Sequence, residues 1–375
     1  MASVEAEATR RSVRSASPAV AVVKTRPETV LEDIAHAMRA AGSSELLDPR
    51  IRTGLKINIS WQVYYPGCST TPWQLDGVIR ALVEDGHRPN DLIGIQSRTV
   101  VVDSKAGEVT NKHLPVLNRH GVPTVHTHDR EVEWVLHQPA APTRVLHRIF
   151  PDGIYVPRFF SGINMVHLPT MKTHVYTTTT GAMKNAFGGL LQDRRHWTHG
   201  VIHDTLVDLL QIQKELHPQL FAVMDGTIAG DGPGPRAMEP HVMNYVLASA
   251  DQVAIDAVAA RMMGFDPMSI RYIRLAHEAG LGQGDFREIN VVGEDVEGVS
   301  FGFRGDQDTL ASRGAKLIYH GPLRMFEGLL LRSALTPWAF AASRLYHDAF
   351  WYPAIGRRRV AAMMQTDWGK LFQAY

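Results

Sequence analysis

The sequence predicts an α/β fold in which helices cover both faces of a mostly parallel sheet. Short apolar runs alternate with helical patterns over most of the chain, and this β-then-α order is typical of parallel sheets. With 375 residues, of which 45% are hydrophobic and 21% charged, the chain has the composition of a globular protein with a sizeable core. We therefore expect Rossmann-like layers, followed by a helical extension at the C-terminus.

Four strands are predicted in the first half of the chain. The first is AVAVVKT, around residues 20–25, and the amphipathic pattern ETVLEDIAHAMRAAG after it predicts a helix that ends near Gly42. LKINISW is the second strand, and PWQLDGVIRALVEDG forms the next helix. DLIGIQ and VPTVHTH are the third and fourth strands.

The alternation resumes at residue 163. INMVHLP (163–169) is a predicted strand, and a long helix covers roughly 198–216. LFAVMDG and NYVLASA are strands on either side of a Gly/Pro-rich loop, TIAGDGPGPRAMEP. DQVAIDAVAARMMG is a helix with Asp251 as its N-cap and Gly264 placed to end it. REINVVGED is the last predicted strand of the core.

The composition changes near residue 300, where aromatic residues become frequent. Two or three amphipathic helices are expected, one of them from Leu323 to Ser333. They would pack on the core or on a second subunit, as in a homodimer, although aromatic residues beside an Arg run at 357–359 also suit a lid or a membrane surface. The predicted organisation is a flexible tail (1–17), a core (18–298) that could form two lobes (18–150 and 151–298), and a helical extension (299–375).

Charge and cysteine content exclude several classes of protein. The formal net charge of +1 argues against nucleic acid as the main partner, because phosphate binding normally leaves a basic footprint. The single cysteine, Cys68, excludes an intrachain disulfide and a cysteine-ligated iron–sulfur cluster, and it suits a reducing cytoplasm. We find no complete signal peptide and no uninterrupted apolar run of ~18 residues, so we expect a cytoplasmic protein without a transmembrane segment.

The stretch MKTHVYTTTTGAMKNAFGG (171–189) is the clearest indication of function. It follows a predicted strand that ends at Pro169, and ligands of open parallel sheets lie beyond the carboxyl ends of strands. Cations, an imidazole, an amide and several hydroxyl groups in one loop predict an anion-binding site that can also move a proton. The candidate residues in this stretch are Lys172, His174, Thr180, Lys184 and Asn185.

Further candidates lie elsewhere in the chain. Lys56 and Asn58 alternate with apolar residues in the strand LKINISW, and a lysine inside a central strand is uncommon. Asp225 lies at the predicted tip of LFAVMDG, and Glu239 follows the Gly/Pro loop, so both are candidate acid–base carboxylates. Asp256 interrupts an apolar helix and needs a partner, either a lysine of the motif or a backbone donor.

Three histidines raise the question of a metal. His196, His199 and His203 are spaced i, i+3 and i+7, so on one helix they would share a face and could supply two or three ligands. The same spacing also arises in an ordinary amphipathic helix. A divalent metal therefore stays open as a cofactor, and His199 is favoured as a single ligand, acid or base.

These stretches together resemble the domain of unknown function 362 family. The resemblance lies in LKINISWQVYYPGCSTTPWQLDGVIRALVEDG, INMVHLPTMKTHVYTTTTGAMKNAFGGLL and VMDGTIAGDGPGPRAMEPHVMNYVLASADQVAIDAVAARMMGF. Some relatives carry a ferredoxin-like cysteine module that this chain lacks, so iron–sulfur electron transfer is not expected. The resemblance implies an α/β core with one cleft lined by Lys56, Asn58, Lys172, His174, Lys184, Asn185 and Asp225.

A shorter motif is similar to that of the nickel-pincer lactate racemase group. The pattern is M-K-x-H, then T-G-x-x-K, then a histidine downstream, and it covers about thirty residues. In that group a lysine anchors a pyridinium-derived cofactor, and histidines bind nickel or transfer protons. The similarity would make Lys184 the anchor, His174 a base and His199 a ligand or base.

The favoured function is that of an enzyme which transfers a proton at a carbon next to a carboxylate or carbonyl group of a small anionic metabolite: an isomerase, racemase or lyase. Lysines would hold the anion, and His174 or His199 would act as base. The alternatives are a redox enzyme with a non-covalently bound cofactor, weakened by the lack of a G-x-G-x-x-G after the first strand, and a non-catalytic protein that binds an anionic metabolite.

Overall fold

A computed structural model of the chain describes residues 19–99, 101–192, 194–305 and 341–375. A mixed sheet with mostly parallel neighbours forms its centre. The strands are β1 (Ala19–Lys24), β2 (Thr53–Ile57), β3 (Leu92–Gln96), β4 (Thr124–His126), β5 (Trp134–His137), β6 (Ile154–Pro157), β7 (Asn164–Leu168), β8 (Thr170–His174), β9 (Thr178–Thr179), β10 (Leu220–Asp231), β11 (Glu239–Ser249) and β12 (Asn290–Gly293).

The main sheet has the strand order β12-β1-β11-β10-β7-β2-β3-β4. β11 runs antiparallel to β1 and to β10, and the other neighbours along this path are parallel. β8 continues beyond β7, pairs with the distal part of β10, and forms a short antiparallel pair with β9. β5 and β6 form a separate hairpin. Strands from before and after residue 150 thus share one sheet.

Helices cover both faces of this sheet. They are α1 (Val30–Ala40), α2 (Ser43–Leu46), α3 (Pro72–Glu84), α4 (Ser104–Thr110), α5 (His113–His120), α6 (Leu146–Ile149), α7 (Gly181–Asn185), α8 (Ile202–Leu216), α9 (Gln252–Met263), α10 (Arg271–Glu278), α11 (Arg357–Met363) and α12 (Asp367–Ala374), with a π-helical segment at Leu345–Gly356. As predicted, α9 begins at the Asp251 cap and ends at Gly264.

Two apolar cores lie on opposite faces of the sheet. Val20 and Val22 of β1 point into the core shared with α8, α9 and α10, whereas Ala21 points into the core shared with α1, α3 and α5. Successive residues of a strand face opposite sides, and both sides of β1 are buried. Burial on both faces is why the strands appear in the sequence as continuous apolar runs. The predicted α/β class is confirmed.

Three local predictions are wrong. The segment Thr170–His174 is strand β8 rather than a loop, because it pairs with β10 and β9. β10 continues to Asp231, because its second half forms a hairpin with β11. The helix predicted from about 198 begins at Ile202, and the preceding residues, Arg195–Val201, form a 3₁₀ helix.

The C-terminal residues pack on the core. The Trp368 ring lies 5.2 Å from that of Trp73, and its Nε1 donates to Asn244 Oδ1 at 2.7 Å. Phe372 stacks on Tyr64 at 3.7 Å. The helix predicted at 323–333 lies outside the described residues. Among the residues described, no helix has the length and apolar character needed to cross a bilayer.

Candidate functional site

The candidate site lies around α7, between β2 and β8. Lys56 of β2 is buried, and its Nζ donates to the main-chain carbonyl of Ile57 at 2.7 Å. Asn185, the last residue of α7, donates its Nδ2 to the carbonyl of Lys56 at 2.8 Å. A Cβ atom on Gly189 would lie 2.9 Å from Lys56 Cε, so the turn after α7 contacts this side chain closely. The φ of +154° at Gly189 also favours glycine at this position.

Lys172 is fully buried on β8 and points toward the loop after β2. Its Nζ donates to Ser60 Oγ at 2.7 Å and to the carbonyl of Cys68. Asn58 donates to the same carbonyl at 3.2 Å, so this amide holds the loop that supplies the acceptors of Lys172. Thr180 donates its N–H to the Lys172 carbonyl at 3.0 Å. Its buried hydroxyl has no hydrogen-bond partner among the described residues.

Aromatic rings connect the two candidate histidines with Lys184. The centroid of the Tyr176 ring is 5.8 Å from that of His174 and 5.6 Å from that of His199. His199 lies 5.4 Å from Phe187, and Lys184 Nζ lies 5.6 Å from the centre of the Phe187 ring. The histidines come from β8 and from the 3₁₀ helix, so residues twenty-five positions apart in the sequence share one site.

Hydrogen bonds assign different tautomers to the two neutral imidazoles. His174 Nδ1 accepts the Tyr176 N–H at 3.1 Å, which leaves the ring hydrogen on Nε2. His199 Nδ1 lies 2.9 Å from the carbonyl of His196 and must donate to it, which leaves the lone pair on Nε2. Burial lowers the pKa of His199 to about 4 and that of His174 well below its ordinary value, with nearby Lys184 adding to both effects. One imidazole thus offers a donor and the other an acceptor.

The lysines also have strongly lowered pKa values. Burial lowers the pKa of Lys56 and of Lys184 to about 7, and that of Lys172 to about 8. Repulsion contributes as well, because Arg195 lowers the pKa of Lys56 and of Lys184, and Lys172 lowers that of Lys184. These cations are therefore close enough to repel one another.

Arg195 is a site residue that the sequence analysis missed. Its guanidinium is buried and donates to Ser97 Oγ at 3.4 Å and to the carbonyl of Arg98. A Cβ atom on Gly188 would lie 3.3 Å from the same Ser97 oxygen, so the turn after α7 also contacts this group. The sequence signal was the Arg pair directly before the histidines in RRHWTHG, a pair that lies outside the helix predicted over roughly 198–216.

Asp225 differs from the prediction. It lies in the middle of β10, opposite Thr170 and Val246, and not at a strand end. Its carboxylate accepts hydrogen bonds from the Thr71 hydroxyl and from the Thr227 N–H, the latter at 2.7 Å. Burial raises its pKa, and these donors act in the opposite direction. Asp225 thus ties β10 to the start of α3, where Thr71 caps the helix.

Glu239 is also placed outside the site. It begins β11, is exposed, and lies 3.8 Å from Arg359 of α11. Glu239 pairs with Asp231 directly across the Gly/Pro turn, and the sequence could not show that its side chain is exposed there.

Asp256 supports α7 through the backbone and not through a lysine. Its carboxylate accepts the N–H groups of Ala182 and Met183, and Tyr272 contributes a weak bond at 3.4 Å. Burial raises the pKa of Asp256 to about 8. Gly181 has a φ of +66°, and a Cβ atom there would lie 2.3 Å from this carboxylate, so only glycine fits. This contact fixes the start of the segment that carries Lys184.

The three histidines considered as metal ligands do not share one helix face. His196 and His199 lie in the 3₁₀ helix and His203 lies in α8, where it stacks near Tyr272 at 6.2 Å. No three His, Cys, Asp or Glu side chains are grouped as a metal site in the described part of the chain. The divalent metal and the similarity to the lactate racemase motif stay predictions.

Comparison with known proteins supports the resemblance seen in the sequence. A family model described as "Domain of unknown function (DUF362)" matches residues 53–261, which is more than half of the chain and includes Lys56, Lys172, Lys184 and Asp256. The chain is also 29% identical over 121 residues to the "Thylakoid-associated protein sll1697" of Synechocystis sp., an alignment covering 31% of this chain and 37% of that relative. This chain thus spans well under two thirds of the relative's length. On the strength of the family match, the chain belongs to the domain of unknown function 362 family.

Proposed function

We propose that this protein is an enzyme that transfers a proton at a carbon next to a carboxylate or carbonyl group of a small anionic metabolite, as isomerases, racemases and lyases do. The observation that carries the proposal is the pair of complementary imidazoles beside buried lysines. His199 presents a lone pair at Nε2, and His174 presents an N–H at Nε2. An acceptor and a donor in one cationic site are what enolisation requires.

Each residue has a defined part in such a reaction. Lys56 and Arg195 would hold the substrate carboxylate. His199 Nε2 would remove the proton from the adjacent carbon, so that a C–H bond breaks, an N–H bond forms, and the electron pair moves to the carbonyl or carboxyl oxygen. The N–H of His174 and the ammonium of Lys184 would stabilise that oxygen. Return of the proton to a different carbon would give isomerisation, protonation of the opposite face by a second acid such as the N–H of His174 would give racemisation, and loss of a leaving group would give elimination.

The weak basicity of His199 is consistent with this scheme. An imidazole with a pKa of about 4 is a poor base for an ordinary carbon acid, but it is not protonated at neutral pH. Several cations around the substrate would make the carbon more acidic. Neutralisation of Lys184 by the bound anion would also raise the pKa of His199, because the repulsion that lowers it would weaken.

Solvent exchange tests the proposal directly. In D₂O, we expect the C2–H signal in the proton NMR spectrum of malate or lactate to disappear on incubation with the enzyme. His199→Gln should slow this exchange by about a hundredfold or more, the usual contribution of a general base. His137→Gln is the matched control, because His137 pairs with Glu215 outside the site. Equal exchange rates for His199→Gln and the wild type would contradict the assignment of the base.

The same experiment separates the alternatives. A ligand that binds without any exchange would favour the non-catalytic binding protein, for which the buried lysines alone suffice. Exchange that requires an added nicotinamide or flavin would favour the redox enzyme. A cytoplasmic location and a homodimer formed through the C-terminal helices stay predictions from the sequence.

A further inference from the structure

The three lysines of the site lack acidic partners in the described part of the chain. Among the described residues, Lys56, Lys172 and Lys184 form no ion pair with a carboxylate, and Lys56 and Lys172 donate to neutral oxygens. Two buried carboxylates in neighbouring elements are already engaged. Asp256 accepts main-chain N–H groups of α7, and Asp225 accepts the Thr71 hydroxyl and the Thr227 N–H. A buried cation either loses its proton or is compensated by an anion, and a bound anionic ligand would stabilise the charged forms of these lysines.

The residues that carry these cations adjoin α7 and the turn after it. In the turn after α7, Gly189 lies against the side chain of Lys56. Gly188 lies against the Ser97 hydroxyl, which accepts a hydrogen bond from Arg195. Lys184 lies near the end of α7, shortly before this turn. The main-chain carbonyl of Lys172 accepts the N–H of Thr180, the residue that precedes α7. Glycines at the turn let an anion approach both the backbone and the lysines.

We infer that the ligand of this site carries at least two negative charges, as a dicarboxylate or a phosphate monoester does. A monocarboxylate would compensate one of the three lysines and leave the others buried and unpaired. A dianion can pair with Lys56 and Lys184 together, and the unpartnered hydroxyl of Thr180 supplies a further donor. The inference rests on the proposed function for the location of the ligand, but not on proton transfer.

Binding of such a ligand should take up protons. Lys56 and Lys184, with pKa values of about 7, are mostly neutral at pH 8, and an adjacent dianion favours their charged forms. The titratable and charged groups near them are Arg195, Lys172, His174, His199 and His167, which lies opposite Lys56 in the sheet. Because protons are bound with the ligand, affinity should fall as the pH rises from about 7 to 9.

Calorimetric titration of the full chain at pH 8 tests this inference with malate and lactate, which differ by one carboxylate. Malate should bind at least about tenfold more tightly than lactate. Titrations in Tris and in HEPES, which differ in ionisation enthalpy, should show net proton uptake with malate. Glycerol 3-phosphate is the second dianion, and its affinity relative to malate distinguishes a phosphate ester from a dicarboxylate.

Substitutions identify the groups responsible. Lys56→Gln and Lys184→Gln should each reduce the preference for malate at least about tenfold and reduce proton uptake, whereas Lys214→Gln, on the exposed face of α8, should change neither. Asp256 also has a pKa of about 8 and could contribute to the proton uptake. Because Lys56→Gln and Lys184→Gln both retain Asp256, any uptake lost in these variants belongs to the lysines. Because Lys184 is only partly buried, we expect Lys184→Gln to fold even if Lys56→Gln does not.

Three results would overturn the inference: lactate binding as tightly as malate, no proton uptake, or no binding of either dianion. The outcomes also separate it from the proposed function. Selective binding of malate without hydrogen exchange would refute proton transfer and leave the dianion inference intact. Hydrogen exchange in lactate without tighter binding of malate would refute the dianion inference and leave proton transfer intact.

Discussion

Replacing Lys184 by methionine should stabilise the protein while removing a group that the site needs. The pKa of Lys184 falls from 10.5 to about 7, mainly because of burial, and each pKa unit corresponds to about 1.4 kcal/mol. The charged form is thus disfavoured by roughly 5 kcal/mol at most below pH 7, before solvent screening at this partly exposed position. Methionine keeps much of the volume and loses only the ammonium contact with the Phe187 ring, about 0.5–1 kcal/mol. We expect a net gain of about 2 kcal/mol in the free energy of unfolding.

The stability gained in Lys184→Met should depend on pH, in a direction set by the lowered pKa of Lys184. The pKa of Lys184 is lower in the folded than in the unfolded chain, so the unfolded chain binds more protons between about pH 7 and 10.5. The stability of the wild type should rise across this window. The advantage of Lys184→Met should therefore be greatest below pH 7 and should be mostly lost by about pH 10.

Urea denaturation at pH 6.5 and at pH 9.5 measures both effects. Lys214→Met is the control, because Lys214 is exposed on α8, and it should change the free energy of unfolding by less than about 0.5 kcal/mol. The reasoning fails if Lys184→Met is less stable than the wild type at pH 6.5. It also fails if the gain is the same at the two pH values, since a packing effect would not titrate.

Two further variants test the supports of the site and of the C-terminal segment. Gly181→Ala should destabilise the protein by about 3 kcal/mol or more, because the new methyl group would meet the Asp256 carboxylate at 2.3 Å in addition to the left-handed strain. Gly121→Ala has the same strain at φ +67° with nothing within 4 Å, so urea denaturation should show a loss of only about 1–2 kcal/mol, and equal losses would refute the contact. Trp368→Ala should cost about 3–5 kcal/mol, because its indole is buried against the core. Phe350→Ala, at a side chain that is 62% exposed, should cost less than about 0.5 kcal/mol in the same assay. Similar losses for Trp368→Ala and Phe350→Ala would contradict the view that the buried Trp368 indole stabilises the C-terminal segment.

Much of the fold could be predicted because the spacing of apolar residues along the sequence reflects which side chains are buried. β1, β2 and β3 are buried on both faces and appear as short apolar runs, and α9 is bounded by a capping aspartate and a terminal glycine. The errors occur where pairing partners decide the structure. Thr170–His174 is a strand because β10 lies beside it, and a threonine-rich segment carries no local sign of that neighbour.

The candidate site shows the same division. The residue types in MKTHVYTTTTGAMKNAFGG indicate anion binding and proton transfer, since cations, imidazole and hydroxyl groups have those properties wherever they lie. Which of them act together depends on distance and burial, and neither is local to the sequence. Asp225 is bound by Thr71, 154 residues away, and Arg195 joins Lys56 although nothing in the chain links them. Whether an imidazole offers a donor or an acceptor follows from a single main-chain hydrogen bond, as His174 and His199 show, and that bond exists only once the chain has folded.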